Sequence, residues 1–371
     1  MRKVLVLAYG NIDRPSLRYR IKYTLDTLQK KKCVEYTLVS FYSNRTDSIL
    51  KTDRQMLKIF SVLADFAVFI IKFIGCCYKK YDVIIVKNFI VPFGSGIIEK
   101  CAYCFIRGNS IVYDIDDAIY LDQTRVQNRL FSHFRSMKDK VAFWLGVSDK
   151  LSVSNDIIKQ DLEDLEDLSD KQLIQFLSAP YARQYFTNVS DVKLEKRDVD
   201  NIRVIWLGSP HTQQDVEVFL PLLKELEDII SNLKIYIIGA TDDFTLHGLK
   251  SVVYLKWTPD IEKHYMRIAH IGINPLKNDM FQQRKSAFKV IQYYRAGVVP
   301  IVSNVGINKS LITKYGGYVV DYGSSLTDVV EFIKDYINDI ISNAIHIYNN
   351  SEELSVEENA KKILDLINDN K

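Results

Sequence analysis

The chain has 371 residues, 47% of them hydrophobic, and a net charge of only +3. That length fits two domains, each apolar enough to bury its own core, and so small a charge argues against nucleic acid as a partner. Five cysteines, with Cys76 and Cys77 adjacent, do not make a disulfide framework and suit a reducing cytoplasm.

Lys3 to Ala8 reads as a buried first strand, and its apolar run is too short for a signal peptide. After the loop Tyr9 to Ser16, Ser16 is placed to cap a helix from about Leu17 to Lys30. Arg18 and Arg20 fall in its first turns, where cations oppose the helix dipole unless an anion relieves them. Both are therefore candidates for binding a phosphate or an acidic acceptor group, with pairing to carboxylates of the N-terminal domain as the alternative. Glu35 to Phe41 is a second strand. Ile59 to Tyr78 is strongly apolar, is interrupted by Asp65 and Lys72, and runs into Lys79 and Lys80. Its apolar part is marginal for a span, so it reads as an amphipathic helix packed on the sheet or resting on a membrane surface. Tyr81 to Val86 is a third strand. A helix to about Ile106 follows it and carries Cys101-Ala-Tyr-Cys104, read as core-facing cysteines because no second pair or histidine is near. Ser110 to Asp114 is a fourth strand, ending in Asp114-Ile-Asp116-Asp117. Three carboxylates so close at a strand terminus are hard to neutralise unless they face water or a ligand. Lys150 to Ser154 and Ile174 to Leu177 complete this half.

The division expected is an N-terminal domain over 1–187, a polar linker over 188–201, a C-terminal domain over 202–350, and a last helix over 351–371 that can pack back on the first domain. Ile202 to Leu207 restarts the strand pattern and ends in Gly208-Ser209-Pro-His-Thr212. Gly208 lets the backbone approach a phosphate, and Ser209 and Thr212 can donate to it. A helix over Gln213 to Ser231, strands over Leu233 to Gly239 and Ser251 to Leu255, a helix over Ile261 to Ala269 and a strand over His270 to Asn274 follow. A polar loop, Lys277 to Ser286, then enters a helix over Ala287 to Ala296. Gly297 stops that helix before the buried strand Val298 to Val302. Lys285 and Lys289 bracket the helix start, where free N–H groups and the dipole already favour anions; together these features suit a diphosphate. Strand–helix alternation in both halves predicts an α/β fold: two Rossmann-like, doubly wound domains whose strand-end sites face each other across a cleft.

The run Lys285-Ser-Ala-Phe-Lys289-Val-Ile-Gln-Tyr-Tyr-Arg-Ala-Gly297, continuing to Gly306, resembles the nucleotide-sugar site of GT-B glycosyltransferases of family 4, the group 1 transferases of bacterial polysaccharide synthesis. Trp206 to Thr212 resembles the first strand-turn of that donor domain, Asn274-Pro275-Leu276 also fits, and Asp114 to Tyr120 resembles an Asp-rich strand end of its N-domains. The resemblance implies a retaining, metal-independent transfer from a UDP- or GDP-linked sugar, without another cofactor, to a lipid-linked or polysaccharide acceptor. By it, Lys285 neutralises the leaving diphosphate, Gly208, Ser209 and Thr212 donate from the opposite side, and Arg284, Ser286, Ala287, Phe288, Lys289 and Gln292 complete the donor site. Asp116 or Asp117 faces the sugar or the acceptor hydroxyl, and Arg18, Arg20 and Asp114 face the acceptor. Two glutamates common in the family are here Arg284 and Gln292, which leaves the donor sugar open. Trp257 and Thr258 follow a strand and read either as near the base or as core. Cytoplasmic placement, with a peripheral seat on the inner face of the cell membrane, goes with this reading. The alternatives are a non-catalytic nucleotide-sugar-binding partner in a glycan assembly complex and a GT-B sugar-nucleotide epimerase or hydrolase.

Overall fold

The computed structural model describes residues 1–371 except 51, 95, 122–136, 197, 199, 322, 324 and 369–371. The chain divides into two compact units, residues 1–178 with 356–371, and residues 179–355.

The first unit holds six strands: β1 (Arg2–Ala8), β2 (Val34–Ser40), β3 (Tyr81–Lys87), β4 (Gly108–Ile115), β5 (Lys150–Val153) and β6 (Gln172–Gln175). They pair in parallel in the order β2-β1-β3-β4-β5-β6. The order reverses between β1 and β3, the place where open α/β sheets bind ligands. Strand faces bearing Val4, Val6, Val83, Ile85 and Val112 bury against helix residues Leu25, Leu28, Ile363 and Ile367. The last two lie on the helix Val356–Asn368, which packs on the helix Tyr23–Lys30 and is pinned by Asn359 donating to the Leu177 carbonyl (2.7 Å) and Lys150 to that of Leu366 (2.5 Å).

The second unit holds β7 (Ile202–Leu207), β8 (Leu233–Ile238), β9 (Val252–Leu255), β10 (Ile271–Asn274), β11 (Val299–Ser303) and β12 (Tyr318–Val320), all parallel, in the order β12-β11-β10-β7-β8-β9. Its reversal lies between β7 and β10, so the turns after Leu207 and Asn274 flank the switch point.

The stretch 188–201, expected as a linker, does not carry the crossing between the units. Val189–Glu195 is a helix whose cap Asn188 accepts from the Asp191 N–H, and Val192 is buried in the core of the second unit. Polar composition misled there because a short capped helix needs only one apolar anchor. Residues 197 and 199 of that stretch, like 369–371 of the last helix, lie outside the described residues. The expected continuous helix Gln213 to Ser231 is a 3-10 run, Pro210–Phe219, followed by the helix Leu220–Ile229. Pro221 sits in the first turn of the second piece, where its missing N–H costs nothing.

Candidate nucleotide-sugar site

In the second unit, the helix Phe288–Arg295 starts from Ala287, which holds a left-handed backbone (φ 50°), and no side chain among the described residues caps its N-terminus. A non-glycine residue in that conformation is strained and persists only where its surroundings enforce it. Lys285, half-buried just before this turn, has its ammonium 3.9 Å from Asp215. Asp215 is buried on the Pro210–Phe219 run and also accepts from Gln282 (2.9 Å). The ammonium of Lys289 lies 4.8 Å above the ring of Trp206, which is fully buried on β7. Burial, then the Lys285 charge, push the Lys289 pKa down to about 7 against the opposing pull of Asp215. Two cations crowded at an uncapped helix start form a site that an anion would relieve.

The glycine turn faces the same strand ends. A Cβ on Gly208 would come 2.2 Å from two Trp206 ring carbons, and one on Gly239 (φ 89°), just beyond β8, would come 2.3 Å from the Gly208 carbonyl. Only glycine therefore lets these two turns touch. Ser209 is exposed, whereas the Thr212 hydroxyl donates back to the Ser209 carbonyl (3.2 Å) and accepts its N–H (3.3 Å), so Thr212 shapes the turn rather than offering a ready donor. Arg284 is half-exposed and donates to the Met280 carbonyl (2.7 Å), and Ser286 and Phe288 are half-exposed beside it. Gln292 is buried, and its amide donates to Tyr185 (2.9 Å) and to Glu262 (2.9 Å). Trp257 is not in the core: it is 40% exposed.

In the first unit, two expected acceptor ligands are structural. Arg20 is fully buried and donates to both oxygens of Asp114 (2.9 and 3.0 Å), to Ser152 (3.0 Å) and to the Phe176 carbonyl. Lys87, also buried, pairs with Asp114 (2.9 Å) and Asp116. Burial raises the Asp114 carboxyl, but Arg20 and Lys87 outweigh it and hold it below its usual range. Arg20, Asp114 and Asp116 are thus turned inward, a correction to their expected contact with acceptor or sugar. The carboxylate cluster is neutralised by buried cations rather than by ligand. Asp117 is half-exposed, and Arg18 is half-exposed with its guanidinium 4.6 Å from the Tyr19 ring. Ser16 does not cap its helix; Arg14 occupies the cap position, with Pro15 following. Lys87, Asp215 and Glu262 carry no local sequence signal, because Lys87 meets Asp114 across 27 residues, Asp215 meets Gln282 across 67 and Glu262 meets Tyr185 across 77. Cys101 and Cys104 are exposed rather than core-facing.

No family model matches the sequence, and neither does any curated protein. Solved structures do match in three dimensions. WaaG, a glycosyltransferase involved in lipopolysaccharide biosynthesis, superposes with a TM-score of 0.64 at 14% identity, over 99% of this chain and 100% of that one. Anabaena Alr3699/HepE, in complex with UDP and glucose, gives 0.65 at 13%, over 99% of each. The catalytic domain of starch synthase IV from Arabidopsis thaliana, bound to ADP and acarbose, gives 0.65 at 12%, over 99% of this chain and 98% of that one. The chain has the GT-B fold. The paired lysines and the left-handed Ala287 follow β10 and the Gly208 turn follows β7, the two strands that flank the switch point of the second unit's sheet.

Proposed function

We propose that the protein is a retaining glycosyltransferase of the family 4 type, moving a sugar from a UDP- or GDP-linked donor to a hydroxyl of a lipid-linked or polysaccharide acceptor in bacterial cell-surface glycan synthesis. The observation that carries this is the pair Lys285 and Lys289 at the uncapped start of the Phe288–Arg295 helix, beside the Gly208 turn. Fixed positive charge placed where a diphosphate leaves stabilises the transition state more than the ground state, and does so without a metal. The bond from the anomeric carbon to the phosphate oxygen breaks with its electron pair on the diphosphate, and the acceptor oxygen bonds to that carbon. Asp117, the half-exposed member of its cluster, is the group assigned to take the acceptor proton; turnover unchanged in Asp117→Asn would remove it from the chemistry.

Thermal-shift titration with UDP, GDP and their sugar conjugates tests the donor site, since a ligand of the native state must raise its stability. A shift with one nucleotide, lost in Lys285→Ala, is expected; no shift at millimolar nucleotide refutes the reading. The alternative of a non-catalytic binder draws on Arg284, which adds a cation where the family usually has a carboxylate. It predicts nucleotide binding with neither transfer nor donor hydrolysis.

The acceptor reading leans on the helix Gln55–Cys77. It is long and apolar enough to cross a membrane, and only 17% of its most apolar stretch is buried. Phe69, Phe73 and Cys76 fasten one stripe to the domain, while Phe60, Leu63, Ile71, Ile74 and Tyr78 form an outward stripe. A helix held by one face and bare on the other suits an interfacial seat, with Lys79 and Lys80 beside anionic headgroups, on a protein that is cytoplasmic and peripheral. Co-flotation with anionic vesicles that survives Ile71→Asp/Ile74→Asp would overturn that seat.

A further inference from the structure

Arg295 is 3% exposed, although an arginine in the last turn of a helix ordinarily reaches water. One nitrogen of its guanidinium donates to the Tyr348 carbonyl (3.0 Å) and to the Ser351 hydroxyl (3.3 Å), and another donates to the Ala182 carbonyl (3.2 Å). The group also lies 4.8 Å from the centroid of the Tyr348 ring, and that ring meets Phe186 edge to face, with centroids 6.1 Å apart. Gln292, one turn earlier, adds a bond to the Tyr185 hydroxyl (2.9 Å). The Tyr348 carbonyl belongs to the last turn of the helix Ile340–Asn350, where a cation meets the helix dipole. That accounts for one of the three bonds. Burying a guanidinium is costly and an apolar side chain would fill the same space, so packing alone does not call for it.

The two segments held in this way have a particular place in the chain. The chain passes from the first unit to the second after residue 178 and returns after residue 355. Ala182 to Phe186 lies just past the first passage, and Tyr348 to Ser351 lies just before the second. Arg295 is thus one side chain that grips both. At the opposite end of its helix stand the uncapped N–H groups and Lys289, with Lys285 just before the turn. The helix Phe288–Arg295 spans about 12 Å and holds no proline or glycine, so it shifts as one piece.

We propose that Arg295 is a positioning residue that couples the filling of the anion site at the start of this helix to the ordering of both passages. This rests on the nucleotide-sugar reading. A diphosphate seated on Lys289 and the free N–H groups draws the helix toward it, and the guanidinium fork at the far end carries that shift into 179–187 and 348–355 together. The coupling is reciprocal, so passages that are already ordered raise the affinity of the anion site.

The experiment is amide hydrogen exchange of the full chain with and without saturating UDP or GDP. On binding, exchange in 179–187 and 348–355 should slow by about 5- to 150-fold, the usual range of coupling between sites, and by more than in β9, which shares the unit but not the clamp. In Arg295→Met, which keeps most of the stem, nucleotide binding persists through Lys285 and Lys289 while the slowing in 348–355 is lost. Should that variant fail to fold, Arg295→Lys retains a buried cation but has one nitrogen in place of the fork, and the slowing then drops in at least one of the two segments. An arginine with only a packing role would alter exchange equally with and without nucleotide, so a ratio unchanged from the native protein in the folded variants would overturn the coupling. A native protein that binds nucleotide with no slowing in either segment would also overturn it while leaving the donor site in place. If the native protein binds neither UDP nor GDP, the donor reading falls and the coupling falls with it.

Discussion

Replacing Lys87 with methionine tests whether the carboxylates at the end of β4, Asp114 and Asp116, are held by buried cations or by solvent. Lys87, Arg20, Asp114 and Asp116 are all buried, and their four charges sum to zero. Methionine fills a similar volume but leaves one negative charge uncompensated in the interior. Removing one partner of a buried pair costs about 3–5 kcal/mol. For a unit of this size each kcal/mol lowers Tm by about 2–4 °C, so the variant should melt roughly 6–20 °C lower at pH 7. The pH dependence carries the sharper test. In the native protein Asp114 is held below its usual value, so its contribution is present above about pH 4 and is lost as pH falls through the depressed value. In Lys87→Met the surplus charge is relieved by proton uptake, so the deficit against the native protein shrinks as pH falls from 7 to 5. Calorimetric unfolding across that range measures both curves, and Lys87→Met/Asp116→Asn, again neutral, should recover most of the loss. A deficit under about 1 kcal/mol at pH 7, or one independent of pH, would refute the assignment.

Two further outcomes follow from the second unit. Gly208→Ala drives a Cβ into the buried Trp206 ring and so displaces the surface beneath Lys289; overpacking of about 1–3 kcal/mol should appear in thermal unfolding, together with weaker nucleotide binding. Lys289, with its pKa pushed down to about 7, should take up a proton when a diphosphate binds. Affinity is then highest below pH 7 and falls by up to about tenfold per unit as pH rises above it, and calorimetry in buffers of different ionisation heat reads the uptake directly. Without ligand the sign reverses. Between pH 7 and about 10 the unfolded chain binds the extra proton, so this lysine weakens the fold at neutral pH and the penalty disappears as pH rises.

Much of the architecture is legible in the chain itself. Short apolar runs such as Val4 to Leu7 and Ile271 to Ile273, alternating with helical periods, specify parallel strands buried on both faces, because a strand covered on both faces needs no polar side chain. The helix start near Lys285 was equally plain, since Gly297 and the following strand mark where that helix must stop. Pairings between distant side chains were not legible. The charge of Arg20 opposes a helix dipole and so calls for either an anionic ligand or a carboxylate of its own domain; the structure supplies the carboxylate, and nothing within a few residues shows that it is Asp114, 94 positions on. Nothing in the helix Pro259–Ile268 itself marks Glu262, whose partners Tyr185 and Gln292 lie 77 and 30 positions away.

Sequence alone, then, determined the strand-and-helix alternation, the glycine turn and the paired lysines, because periodicity, backbone freedom and charge are properties of neighbours in the chain. Only the tertiary structure decided the strand orders, the inward turn of Arg20, Asp114 and Asp116, and the exposure of Trp257. Burial and hydrogen-bond partnership belong to groups brought together by folding, and their free energies depend on what else is excluded with them from water.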